Sequence, residues 1–294
     1  MPAHDGTGRY GGRVPARAVT SPQRTYRYLR IAAALTVPTI LVAVAAAIPV
    51  VGVLPSISHY FYSPARTAFT AALIAASVCL LALSGRGAGR ALLDAAALFP
   101  PLVAVIPVAV APDSVPDVPV DVDSDCGVCV PAAFIPGVDN GMIVYLAVGA
   151  LAVAIGAVLA ARGEVARDGA VSLAVAGAVI ATAGLVWWLA HPALLRWGHA
   201  VAAALFFALI AVTALVEALR APAGMPRWLR TSYLVLAIAL AVVLICTIAL
   251  GDERFADGRP VLIGEAIALV LFAAFWVLQS AQHWRDPDPA LRAP

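Results

Sequence analysis

Long apolar runs dominate the chain, and short polar or glycine- and proline-rich segments separate them. The runs are about twenty residues long, the length that an α-helix needs to cross about 30 Å of hydrocarbon. The predicted crossings are residues 30–54, 66–83, 91–111, 141–161, 169–190, 198–219, 232–250 and 260–280. The pattern therefore predicts an all-α fold, a polytopic transmembrane bundle of about eight helices.

The polar segments divide the chain into three parts. Residues 1–29 are rich in Gly and Arg and lack apolar periodicity, which predicts a disordered cytoplasmic tail. Residues 30–280 form the predicted transmembrane domain, with a long extracytoplasmic loop at 112–140. Residues 281–294 are a short polar cytoplasmic tail.

The first apolar run has a rival interpretation as a signal peptide. It follows several arginines and contains Ala45, Ala46 and Ala47, which resemble a cleavage site. The run is about twice the usual length of a signal-peptide apolar region. We therefore expect a retained helix.

The overall composition supports a membrane location. Hydrophobic residues make up 62% of the chain and charged residues 12%, whereas soluble domains are about half apolar and a quarter charged. The lipid bilayer is thus the predicted partner, and nothing indicates nucleic-acid binding or an oligomeric state. All 19 basic residues are arginine, a bias typical of GC-rich bacterial genomes, so the predicted location is the bacterial inner (plasma) membrane.

The arginines are unevenly distributed between the two sides of the predicted bundle. The tails and the connections between helices 2–3, 4–5 and 6–7 hold 15 of the 19, and the exceptions are Arg66, Arg196, Arg254 and Arg259. Cytoplasmic connections carry the excess of basic residues in membrane proteins. Both termini are therefore predicted to be cytoplasmic, and eight crossings preserve the alternation.

The third crossing contains Pro100, Pro101 and Pro107. Proline removes a backbone donor and breaks the helical hydrogen-bond ladder. Membrane helices tolerate this where neighbouring helices satisfy the freed carbonyls. The third crossing is therefore predicted to be kinked or discontinuous.

Three carboxylates fall inside the predicted spans, where ionisable groups are costly and often functional. Asp94 lies four residues after Arg90, which predicts an ion pair at the rim. Glu217 also lies about one turn from the inner end, near Arg220. Glu265 is deeper, without a basic neighbour on its own helix, and its helical face is predicted to point into the bundle. It is the leading functional candidate.

Several polar residues are predicted to meet at the outer side. The candidate ligand-pocket residues are Ser56, Ser58, His59, Tyr60, Tyr62, His199 and Glu265. A weaker hypothesis is a zinc site formed by His59, His191 and His199 with Glu265 assisting a bound water. No two of these residues show a tight ligand spacing, and interfacial histidines at the water boundary are the simpler interpretation. No cofactor is predicted.

The long outer loop carries Cys126-Gly-Val-Cys129 behind a run of aspartates. On the oxidising side of a membrane such a pair is predicted to form a local disulfide. The aspartate run resembles the start of a calcium loop but has Cys126 where glycine is needed and Ala132 where the closing glutamate is needed. A solvated acidic loop is the expected structure.

Three short patches carry more distinctive sequence. They are Pro55-Ser-Ile-Ser-His-Tyr-Phe-Tyr-Ser-Pro-Ala-Arg66, His199-Ala-Val-Ala-Ala-Ala-Leu-Phe-Phe207, and the stretch from Glu265 to Trp276. They resemble a family of uncharacterised bacterial multi-pass membrane proteins with a first loop of the form Ser-Ile-Ser-x-Tyr-Tyr. More distantly, the first loop resembles the Frag/DRAM/Sfk type of membrane protein. The resemblance implies a multi-pass bundle and transfers no activity.

Three functional hypotheses follow. The first is a non-enzymatic bundle that binds or senses a lipid or small ligand in an outer polar pocket. The second is a metal-dependent intramembrane hydrolase using the outer His and Glu residues. The third is a secondary transporter in which the third helix moves and a water-filled path passes Glu265 and Glu217.

Overall fold

The predicted all-α fold is confirmed by a computed structural model, which describes residues 20–84, 88–118, 127–164, 167–221, 224–250 and 259–284. The α-helices among these residues are α1 (Ser21–Val51), α2 (Arg66–Leu83), α3 (Ala88–Ala97), α4 (Phe99–Val105), α5 (Ile135–Ala161), α6 (Arg167–Leu189), α7 (His191–Leu219), α8 (Arg227–Leu250) and α9 (Arg259–His283). Short 3-10 helices lie at Ser58–Tyr62 and Ala132–Phe134.

These helices form eight crossings. Seven helical segments are long and apolar enough to span a membrane, and α3 with α4 supplies the remaining crossing. The start of α3 lies near the end of α7, where the Glu217 carboxylate approaches Gly89. The residue after α4, Ile106, lies near the start of α7, where its carbonyl contacts His199. The predicted alternation of eight crossings is therefore consistent with the observed path of the chain.

The third crossing is discontinuous, as its prolines predicted. The helix breaks at Leu98, and Pro100 and Pro101 occupy the first turn of α4. Because Pro101 has no N–H, the Ala97 carbonyl loses its helical donor. Ser77 Oγ donates to that carbonyl at 2.6 Å, and Tyr145 Oη donates to the Leu98 carbonyl at 3.2 Å. Side chains from α2 and α5 thus satisfy the broken backbone.

Several predicted boundaries were wrong. Residues 21–29 were assigned to a disordered tail, but α1 begins at Ser21, where Thr20 Oγ1 accepts from the Gln23 N–H at 3.4 Å and Pro22 occupies the first turn. The third crossing ends at Val105 rather than at residue 111, and α9 continues to His283. Residues 1–19 and 285–294 lie outside the described residues.

The two chain ends meet on the same side of the bundle. Arg27 donates to the Trp284 carbonyl at 2.7 Å, and Arg30 donates to the His283 carbonyl at 3.3 Å. Tyr233 Oη of α8 donates to Gln282 Oε1 at 2.6 Å. These contacts join α1, α8 and α9 at one end, which we call the inner end because the predicted cytoplasmic arginines lie there.

The hairpin of α5 and α6 lies at the edge of the bundle. The face of α5 away from the bundle exposes Val144, Val148 and Leu151, as expected for a surface that contacts lipid. Glycines bring the two helices close together, because α5 glycines face apolar α6 side chains. This close packing of small residues is typical of membrane helix pairs.

Reporter fusions test the orientation of the termini. A cytoplasm-active fluorescent domain fused after Pro294 is expected to fluoresce, because the arginine-rich inner end should face the cytoplasm. An alkaline phosphatase domain inserted after Ser114 is expected to be active, since the segment after α4 lies at the opposite end of the bundle. Phosphatase activity from the C-terminal position would contradict the orientation.

Gly149→Leu should destabilise the α5–α6 hairpin. A Cβ at Gly149 would lie 2.7 Å from Ile180 Cδ1, so a leucine side chain forces the helices apart. Such overpacking costs about 1–3 kcal/mol, and thermal unfolding in detergent measures it. Gly137→Leu on the same helix is the matched control, because a Cβ there meets nothing within 4 Å. Equal loss in both variants would contradict the packing argument.

Candidate functional site

A large cavity opens at the outer end of the bundle. Its volume is about 1330 Å³, and it lies between the outer loop at residues 53–59, the segment after α4, and helices α7, α8 and α9. The cavity is half-open to its surroundings. It exceeds the roughly 300–1,000 Å³ of ordinary small-molecule pockets.

The polar side chains of the cavity wall all lie towards its outer end, among apolar ones such as Val53, Trp197 and Val261, and the wall further inside is apolar. The polar side chains in the wall are Ser56, His59, Ser114, Arg196, His199, Thr247 and Glu265. The apolar wall includes Ala203, Ala204, Phe207, Leu240, Val243 and Ala268 from the three helices. Phe207 is eight residues past His199, which places it about 12 Å further along α7. The cavity is therefore amphipathic along its length.

The outer loop is held in shape by Tyr60. Its ring is fully buried, its hydroxyl donates to the Gly52 carbonyl at 3.0 Å, and it accepts from the Leu54 N–H at 3.2 Å. Gly52 has a φ of +78°, a conformation that favours glycine at the end of a helix. Tyr60 thus fixes how the chain leaves α1 and where the following serines lie.

Glu265 is bound to the outer loop through Ser58. The Ser58 N–H donates to Glu265 Oε2 at 3.0 Å, and Ser58 Oγ lies 2.9 Å from Glu265 Oε1. His199 Nε2 lies 2.8 Å from the same Ser58 Oγ. A continuous polar chain therefore connects α9, the outer loop and α7.

A second polar pair lies in the same loop. Ser56 Oγ is 2.7 Å from His59 Nδ1 and accepts from the His59 N–H at 3.2 Å. Burial, followed by the proximity of His199, lowers the pKa of His59 from 6.5 to about 4. His59 is therefore neutral at pH 7 and stays within hydrogen-bonding distance of the Ser56 hydroxyl.

The non-helical segment after α4 supplies backbone acceptors to the site. His199 Nδ1 lies 2.7 Å from the Ile106 carbonyl, and Tyr62 Oη donates to the Val108 carbonyl at 2.8 Å. Val110 then pairs with Cys129 in an isolated antiparallel bridge. The interrupted third crossing thus forms part of the site.

The structure brings the predicted pocket residues together in two layers. Ser56, His59, His199 and Glu265 line the cavity directly. The remaining predicted residues, Ser58, Tyr60 and Tyr62, are not among the lining residues; each instead makes hydrogen bonds behind the wall. The buried α9 face below Glu265 was also predicted correctly, since Phe272 and Trp276 are both 2% exposed.

The histidines proposed as zinc ligands do not gather at one point. His191 Nε2 contacts Asp139 Oδ1 at 2.9 Å, and Trp187 Nε1 donates to the same oxygen. His199 contacts Ser58 instead, and His59 contacts Ser56. Within the described ranges, no group of three His, Cys, Asp or Glu side chains is placed to hold a metal ion.

The carboxylates nearest the inner end, Asp94 and Glu217, contact neighbouring residues of the bundle. Arg90 Nε lies 3.4 Å from Asp94 Oδ2, the predicted i,i+4 ion pair. Glu217 approaches Gly89 of α3 and is close enough to Tyr233 to interact with it electrostatically. Glu217 is not among the residues that line the outer cavity. The outer cavity that Glu265 lines therefore does not extend to Glu217.

The acidic outer loop is only partly described. Cys129 is disulfide-bonded, whereas Cys79 and Cys246 carry free thiols. The predicted disulfide partner of Cys129, Cys126, lies outside the described residues. The same is true of the aspartates at 121, 123 and 125. Asp113 and Asp117 both have φ near +60°, a conformation that aspartate tolerates in tight turns.

Sequence reasoning missed part of the cavity wall. Arg196, Trp197 and Thr247 line it, and Arg196 lies over the Trp197 ring with its guanidinium carbon 5.2 Å from the ring centroid. In the sequence, Arg196 is one of the four arginines predicted on the outer side. Because most arginines are predicted on the inner side, this unusual position was the signal that could have pointed to Arg196.

Comparisons with protein-family models, with curated proteins and with solved structures found no match to this chain. The fold itself establishes a multi-pass helical membrane protein, with seven apolar helices of spanning length and a lipid bilayer as their environment. Any more specific function has to be argued from the geometry of the outer cavity.

The neutral state of His59 predicts a pH dependence of stability. Its pKa in the folded protein is about 4 and its ordinary value is 6.5, so the unfolded chain binds the proton first as pH falls. Stability from this residue is full above about pH 6.5 and is lost as pH falls towards 4. His59→Asn keeps an acceptor for Ser56 and should flatten the thermal-unfolding profile in this window. If the melting temperatures of the wild type and of His59→Asn fell equally between pH 6.5 and 4, the neutral state of His59 would be contradicted.

Proposed function

We propose that the protein binds an amphipathic ligand of the membrane-lipid class in its outer cavity. The observation that supports this most strongly is the division of the cavity into a polar outer end and an apolar inner part. A lipid presents the same division, with a polar head group and acyl chains. The predicted orientation would put the site at the outer leaflet of a bacterial plasma membrane.

The polar end offers hydrogen-bonding groups of both kinds. Arg196 supplies donors in the cavity wall, while the His59 ring and the Thr247 hydroxyl supply further polar groups. Glu265 and His199 face the cavity and are already bonded to Ser58. A head group would therefore meet fixed polar side chains, which costs little rearrangement on binding.

Aromatic side chains pack next to the apolar part of the cavity. The Phe206 and Phe272 rings lie 5.3 Å apart, each next to a cavity-lining turn of its helix, and both side chains are buried. Leu240 of α8 is also buried there. An acyl chain would thus lie beside well-packed, buried apolar side chains.

The other two hypotheses receive less support from the geometry. Metal-dependent hydrolysis would require at least three ligands around one point, and among the described residues no such group of His, Cys, Asp or Glu side chains is found. Transport would require a path past Glu217, which the cavity does not reach. Binding or sensing of a ligand is the function that the site favours.

Filling the cavity tests the proposal. Ala204→Phe places a ring in the apolar wall and is expected to lower, several-fold, the amount of phospholipid that remains bound through detergent purification, as quantified by mass spectrometry. Leu205→Phe is the matched control, because Leu205 is 44% exposed on the outside of the same helix. Its lipid content should equal that of the wild type.

Two outcomes would contradict the proposal. One is an equal amount of bound phospholipid in the wild type, in Ala204→Phe and in Leu205→Phe. The other is a complete absence of bound phospholipid from the wild type, together with no binding when phospholipid is added back. Thermal unfolding of each variant ensures that only folded protein is compared.

A further inference from the structure

Ser58 Oγ is shared between two groups that normally accept hydrogen bonds. It lies 2.9 Å from Glu265 Oε1 and 2.8 Å from His199 Nε2. A serine hydroxyl carries one hydrogen, so it donates to only one of the two. The other short contact needs a hydrogen from Glu265 or from His199.

The tautomer of His199 is fixed by its second nitrogen. Nδ1 lies 2.7 Å from the Ile106 carbonyl oxygen, which is an acceptor only. Nδ1 must therefore carry a hydrogen, and in a neutral imidazole Nε2 then has a lone pair. If Glu265 were ionised and His199 neutral, only the Ser58 hydroxyl hydrogen would be available for the two contacts of Ser58 Oγ. One contact would then bring two lone pairs together in a buried site, which is costly.

We propose that Glu265, Ser58 and His199 form a proton-binding site that holds one proton more than a carboxylate and a neutral imidazole. In one arrangement, the Glu265 carboxylic acid donates to Ser58 Oγ, and Ser58 donates to His199 Nε2. In the other, an imidazolium at His199 donates to Ser58, and Ser58 donates to the Glu265 carboxylate. Both arrangements make every short contact.

The two arrangements interconvert without gain or loss of protons. The Oε1–H bond of Glu265 breaks as a new Oγ–H bond forms on Ser58, while the original Oγ–H bond breaks and an Nε2–H bond forms on His199. The total charge stays at zero in both. Zero net charge is also the least costly state for a buried group within a membrane bundle.

Other charged groups near the site do not supply this proton. His59 on the outer loop is neutral at pH 7 and is bonded to Ser56. Arg196 of α7 lies at the mouth of the cavity. Among the described residues, α8 contributes Thr247 to this end of the cavity and the segment after α4 contributes Ser114 and backbone, none of which titrates.

The proton site lets the cavity wall present either two uncharged groups or a negative Glu265 and a positive His199. Glu265 and His199 both line the cavity, whereas Ser58 lies behind them. A positive group beside Glu265 favours the ionised arrangement, and a neutral group favours the uncharged one. This inference goes beyond ligand binding, because it holds equally for the empty cavity.

Substitution of Glu265 tests the hydrogen count. In Glu265→Gln the amide N–H can donate to Ser58 Oγ as a carboxylic acid does, and the amide oxygen still accepts the Ser58 N–H. Glu265→Ala removes both contacts, together with the hydrogen bonds to the Ile57 backbone and the Ser56 side chain. We expect the melting temperature to fall at least twice as far for Glu265→Ala as for Glu265→Gln. Equal falls would overturn the proposal, since a plain carboxylate acceptor is not replaced by an amide donor.

Spectroscopy of the ligand-free protein provides the second measurement. At neutral pH, the infrared difference between wild type and Glu265→Gln should contain a carboxylic acid band, or nitrogen NMR should show His199 as imidazolium. A carboxylate band for Glu265 together with a neutral His199 would overturn the proposal. Neither measurement involves lipid, so the outcome is independent of the proposed ligand binding.

Discussion

The structure depends on the need to satisfy every backbone carbonyl that the interrupted third crossing leaves without a helical donor. In hydrocarbon, water is absent and such carbonyls require side-chain donors from other helices. Ser77 and Tyr145 meet this need at the break itself, while Tyr62 and His199 meet it beyond the end of α4. The packing of four separate segments therefore follows from one discontinuity.

The same requirement connects the scaffold to the polar site. His199 uses one ring nitrogen to hold the Ile106 carbonyl and the other to contact Ser58. Ser58 in turn holds Glu265 with its N–H and its hydroxyl. Glu265 is thus linked to the backbone of the third crossing through Ser58 and His199. The chemistry of the cavity and the stability of the fold share the same hydrogen bonds.

The sequence predicted the spans well because hydropathy and arginine placement are local properties. The bounds of α2 and the break near Pro100 followed directly from it. The start of α1 was missed because the capping residue Thr20 was read as part of a polar tail. The cavity was less predictable, since Ser58 and Glu265 are 207 residues apart and their contact depends on helix packing. Their residue types were enough to make Ser58 and Glu265 candidate pocket residues. Residue type could not predict that Ser58 lies behind the cavity wall.

The two ends of the bundle differ in a way that bears on how a ligand reaches the cavity. The inner end is joined by Arg27, Arg30 and Tyr233, which bond to the last residues of α9. Further towards the outer end, the Phe206 and Phe272 rings pack against each other between α7 and α9. The cavity lies towards the opposite end, where Ser56, His59 and Glu265 line it. The proposed binding of a lipid requires access from the outer side alone, whereas transport would also require an opening through the joined inner end.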